Sequence, residues 1–90
     1  MPSYLVETYV SRCNPGERGA LEQRARAAAE ELTRGRTPVR FERAIHIPED
    51  ETCFFVFDAP SARDALLVAE RARLEPIRVV EAVSSGEETT

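Results

Sequence analysis

Lysine is absent from this 90-residue chain: all 12 basic residues are arginine, set against 16 acidic ones for a formal net charge of −4. A net negative field repels phosphate backbones, which argues against nucleic acid as a partner. The arginines interleave with glutamates along the helical segments instead of gathering into a basic patch. Histidine occurs once and cysteine twice. Two cysteines are too few for a disulfide scaffold, and the CxxC, HxH and HExxH spacings of familiar metal centres are missing. No stretch nears the roughly 18 apolar residues that cross a bilayer. Met1-Pro2-Ser3 leads straight into strand-like sequence, without the basic and apolar segments of a signal peptide. The expectation is a cytoplasmic protein with Cys13 and Cys53 as reduced thiols. No glycine-rich phosphate loop and no nucleophile elbow occur, which sets aside nucleotide enzymes and serine hydrolases.

What is present is a strand–helix–strand pattern, used twice. An apolar fraction of 42% suits one two-layer domain, expected over residues 1–83. Tyr4 to Val10 alternates as a strand. Asn14 and Pro15 read as the cap and first position of a helix whose apolar stripe is Leu21, Ala25, Ala28, Ala29 and Leu32. Gly35 is positioned to close that helix in the left-handed conformation. Val39 to Ile47 alternates again, Pro48 to Glu51 is an acidic turn without calcium-loop spacing, and Thr52 to Asp58 is an aromatic strand. Ser61 and Asp64 resemble a capping pair for a second helix running to Leu74. Ile77 to Val83 is the last strand, and residues 84–90 read as a flexible polar tail. The order βαββαβ predicts an α+β fold: a four-stranded antiparallel sheet with two helices on one face and the other face open.

The turn at Glu49 and Asp50 sets a register that pairs His46 with Cys53, Ala44 with Phe55, Glu42 with Phe57, Ile45 with Phe54 and Arg43 with Val56. The predicted helix-side layer is Ile45, Phe54 and Val56 together with Val6 and Val10. The open face is then expected to carry Leu5, Glu7, Tyr9, Glu42, Ala44, His46, Cys53, Phe55 and Phe57. On that face Glu7, His46 and Cys53 form a candidate metal site, since thiol and imidazole suit Zn or Ni with a carboxylate as oxygen ligand. Cys13 is expected at the same end of the sheet as His46 and Cys53. Tyr9, Phe55 and Phe57 are candidates for an interface or pocket. A charge such as Glu7 in the middle of a central strand must face water, a partner or a ligand.

Tyr4-Leu5-Val6-Glu7, the run Ile45 to Cys53, Phe57-Asp58-Ala59-Pro60-Ser61 and Arg78 to Val83 make the chain resemble the domain-of-unknown-function 4242 group. These are small ferredoxin-like proteins often labelled nickel-binding. The resemblance spans most of residues 3 to 83 and implies a ferredoxin-like subunit that dimerises and binds a transition metal, Ni or Zn. Val68 stands where many relatives have a helical histidine, and Phe55 where they tend to have cysteine. The leading expectation is a homodimeric ferredoxin-like binding protein holding a divalent metal through Glu7, His46 and a cysteine. One alternative is a dimeric α/β-barrel enzyme, a cofactor-free oxygenase or isomerase, with His46 or Glu7 as base and Tyr9 as hydrogen-bond donor. Another is a protein-interaction module that uses Phe55 and Phe57.

Overall fold

Tyr4, Val6, Thr8 and Val10 turn one side of the first strand inward, and the core is built on that side. The computed structural model describes residues 1–11, 13–14 and 16–83. Its elements are β1 (Ser3–Tyr9), α1 (Glu17–Arg34), β2 (Arg40–Ile47), a single 3₁₀ turn (Pro48–Asp50), β3 (Thr52–Asp58), α2 (Ala62–Arg71) and β4 (Arg78–Ala82). The sheet order is β2-β3-β1-β4, with every neighbouring pair antiparallel. This is the expected ferredoxin-like α+β arrangement. Among the described residues no helix is long and apolar enough to cross a membrane.

The two helices form for different local reasons. Leu21, Ala25, Ala28, Ala29 and Leu32 are all buried, as their spacing predicts, and the alanines let α1 lie close to the sheet. Its start differs from the expected one. Helix begins at Glu17 after Gly16 with no side-chain cap, and Asn14 contributes its backbone carbonyl to the Glu17 N–H. The expected role of Pro15, like the expected tail at 84–90, lies outside the described residues. At the other end Gly35 keeps φ at −84°, and Arg36 takes the left-handed turn at 76°. Thr33 then ties the helix end to β2, its hydroxyl donating to the Val39 carbonyl and accepting from the Val39 N–H.

In α2 the Ser61 hydroxyl accepts from the Asp64 N–H at 3.2 Å, so the expected cap is present. Its buried stripe is Ala65, Val68, Ala69 and Ala72, whereas Ala62 and Leu66 are exposed. The helix stops at Arg71, because Arg73 and Glu75 adopt positive φ and redirect the chain into β4. Arg24 of α1 fastens that exit, donating to the Ala72 and Arg73 carbonyls at 2.9 and 2.8 Å.

Candidate functional site

The β2–β3 register follows the expected pairs His46–Cys53, Ala44–Phe55, Ile45–Phe54 and Arg43–Val56. Glu42 is the exception. An irregularity between Phe41 and Arg43 pairs Phe41, and not Glu42, with Phe57. The faces of β3 are the main correction. Val6 lies opposite Phe55, Thr8 opposite Cys53 and Tyr4 opposite Phe57, so the cysteine and both phenylalanines share the helix-side face with the inward residues of β1. All three are fully buried. Phe41 packs against them with ring centroids 6.3 Å from Phe55 and 5.5 Å from Phe57. Phe55 and Phe57, expected on the open face as interface or pocket residues, are therefore core residues beneath the helices. Ile45, Phe54 and Val56, expected beneath the helices, lie on the open face instead.

This separates the expected metal ligands. Glu7 pairs with Phe54 and projects from the open face, whereas His46 and Cys53 sit side by side on the helix side. Burial pushes the Cys53 thiol up to about 11, with the Glu22 charge adding to the shift and Arg18 opposing it. A thiol so held resists becoming the thiolate that Ni or Zn requires. Glu7, His46 and Cys53 do not fit a single metal centre, and among the described residues no group of three or more His, Cys, Asp or Glu is arranged to hold a metal ion. Cys13 lies exposed in the loop after β1, and both thiols are free.

Across the helix-side face, Thr8, Cys53 and His46 form one transverse row over three adjacent strands. Thr8 Oγ1 and His46 Nδ1 are buried there without a hydrogen-bond partner. His46 also faces away from the open sheet, so it cannot act as the base of an α/β-barrel lumen. Glu7 and Tyr9 do share that face. Glu7 accepts from Arg78 Nε at 2.8 Å, directly across the β1–β4 pair, and the Tyr9 hydroxyl reaches Glu51 at 3.4 Å. Arg78 is the answer to the central-strand charge, and the parity of β4 was the signal for it.

At the opposite end of the sheet lies a polar cluster that composition alone does not single out. The Ser3 hydroxyl donates to Asp58 Oδ1 at 2.8 Å and lies 3.4 Å from Glu42 Oε2, while Arg40 pairs with Asp58 at 3.2 Å. The hydrogen bond to Asp58 raises the Glu42 pKa, with burial and the Asp58 charge acting in the same direction. Burial works to raise Asp58 too, but hydrogen bonds from Glu42 and Ser3 and the Arg40 charge outweigh it and hold Asp58 low. The two carboxyls are thus pushed apart, Asp58 giving up its proton before Glu42 does.

No family model and no curated protein matches the chain. The crystal structure of SCO4226 from Streptomyces coelicolor A3(2) is similar, with a TM-score of 0.75 over 92% of this chain and 98% of that one at 20% sequence identity. At that identity the likeness establishes the common fold, a four-stranded antiparallel sheet backed by two helices, and each chain's chemistry rests on its own side chains.

Proposed function

We propose that the chain is a ferredoxin-like binding protein that works in the cytoplasm as a homodimer, two copies meeting through their uncovered sheet faces. The observation that supports this reading is the make-up of that face. Leu5, Ile45, Phe54, Val56 and Val80 make an apolar centre around the Glu7–Arg78 ion pair, with Arg43 opposite Val56 and the Ser3–Asp58–Arg40 cluster at one end, on a side that neither helix covers. A sheet side meant for water is ordinarily polar, and contiguous apolar patches mark association. A chain this short also buries a modest share of its surface alone and gains from covering a second layer. Twofold symmetry lets one patch serve both partners, and the ion pair gives the interface a polar register. The transition metal implied by the family resemblance draws no support from Glu7, His46 and Cys53 as a unit; it would need a different donor set.

Sedimentation equilibrium on the whole chain tests the reading. The expected species has twice the 10.1 kDa chain mass. Ile45→Glu combined with Val80→Glu should return it to a folded monomer, because these side chains are already 40% and 36% exposed in the single chain. A wild-type monomer throughout a concentration series overturns the proposal and leaves the face to another protein. A dimer whose sheets enclose a cavity lined by Glu7 and Tyr9 favours the enzyme instead.

A further inference from the structure

We propose that the groove between α1 and β2 binds a small planar organic anion of the aromatic carboxylate class. The groove is open, has a volume of about 420 Å³, and lies at the β2 edge on the helix side, away from the uncovered sheet. That volume falls in the range of small-molecule clefts. Its floor is apolar, made by Ala29 of α1, by Val39 just before β2 and by Phe41 within it. Its lining includes Arg26 and Arg34 of α1 and Arg40 of β2, whose guanidinium is turned to Asp58, against the single carboxylate of Glu30. In a chain of net charge −4 this is a local reversal of sign.

The three arginines are only partly accounted for by the fold. Arg40 shares Asp58, yet its side chain stays 72% exposed. Arg26 holds its Cζ 5.2 Å from the Phe41 ring centroid, a stacked posture that leaves the guanidinium edge free for a second plane or an acceptor. Arg34 has no ion pair among the described residues, and Glu30, one helical turn from both Arg26 and Arg34, closes on neither. Capping the helix does not explain them either. The last carbonyls of α1 already accept from backbone groups: Glu31 from Gly35, Leu32 from Thr37 and Thr33 from Arg36. Arg26 and Arg34, both exposed on α1 and lacking a carboxylate partner among the described residues, leave the groove with positive charge that an anion can answer. A carboxylate answers the guanidinium fork with paired hydrogen bonds, and an attached aromatic ring rests on the apolar floor beside the Arg26–Phe41 pair. Inorganic phosphate satisfies the rim and leaves the floor unused, so the floor selects the organic anion.

The test is an amide-resolved NMR titration of the whole chain with naphthoate, with naphthylmethanol and inorganic phosphate run in parallel. Saturable shifts are expected at Ala29, Val39 and Phe41. Affinity should fall about tenfold in Arg26→Gln and again in Arg34→Gln, each removing one charge-assisted contact. Both side chains are exposed, so the fold survives either change. Shifts centred on Leu5, Ile45 and Phe54 that ignore the arginine substitutions overturn the proposal. So do equal binding of naphthylmethanol, equal binding of phosphate, or no saturable shift.

Discussion

Glu7 and Cys53 leave the sheet on opposite sides although their strands are hydrogen-bonded neighbours and Cys53 lies opposite Thr8, the very next residue. That single step divides the molecule's chemistry. On one side a carboxylate is held by Arg78 among apolar residues on an uncovered surface. On the other, a thiol, a hydroxyl and an imidazole lie in a row beneath the helices, the thiol sealed from solvent. The first arrangement suits association; the second supports the core.

The two sides respond differently to truncation. Phe55→Ala removes a fully buried ring in contact with Phe41 and should cost about 3–5 kcal/mol, enough to unfold much of a domain this small. Phe54→Ala, one residue earlier on the half-buried open face, should cost the folded monomer on the order of 1 kcal/mol and act mainly on association. Urea denaturation of each variant beside sedimentation of the second separates the effects. Equal losses of stability would contradict the assigned faces.

The sequence makes the β2–β3 register legible because a tight turn at Pro48–Glu51 joins the strands, and four of the five expected pairs follow from it. The inward set of β1 is legible from alternation. What the pattern cannot carry is how β1 slides against β3. No turn connects them, and β3 is apolar on both sides, with Cys53, Phe55 and Phe57 on one and Phe54 and Val56 on the other. Either parity buries a plausible layer. The choice depends on a long-range pairing, and choosing wrongly moves Cys53 and His46 across the sheet while Glu7 stays in place. The displaced Glu42 escaped for a related reason: an irregular strand breaks the alternation on which any such inference depends.

Arg24 links the helices at a point where α2 has run out of its own donors. Two carbonyls, Ala72 and Arg73, accept from one guanidinium. Arg24→Ala should destabilise the fold by about 1.5–3 kcal/mol, the range for hydrogen bonds to a charged group. Arg71 also crosses between helices, to Glu31, but both side chains are about half exposed. Arg71→Ala should change stability by no more than about 1 kcal/mol. Thermal melts of the two variants check the ranking, and a larger loss for Arg71→Ala would reverse it.

Glu42 and Asp58 predict a pH response with two limbs. Asp58, held low, contributes stability that is present above the ordinary carboxylate range and is lost as pH falls through its lowered pKa. Glu42, held high, contributes stability that is present in acid and is lost as pH rises through its raised pKa. The contribution of the pair is greatest between the two, in mild acid. Glu42→Gln keeps a neutral donor toward Asp58 at every pH, so it should abolish the upper limb and leave the lower one. Urea midpoints measured from acid to neutral pH read this out. An unchanged upper limb in the variant would assign the response elsewhere.

Cys53 sets the last expectation, in alkali. Its thiol ionises near 11 in the folded chain, against an ordinary value of 9.0. Between those values the unfolded chain has released a proton that the native state retains, so the native state loses ground as pH rises through the window. Cys53→Ala should flatten that decline, although at neutral pH it gives up some buried sulfur contact. The same sealing governs reactivity, because the thiolate is the nucleophile and the thiol is not. With a disulfide reagent at neutral pH, exposed Cys13 should titrate at once and Cys53 only on unfolding, giving one fast thiol in buffer and two in denaturant. Two fast thiols in buffer would mean that the core opens readily over the Thr8–Cys53–His46 row. The buried, unpartnered Thr8 Oγ1 and His46 Nδ1 would then be reachable by water, and the sealed face described above could not stand.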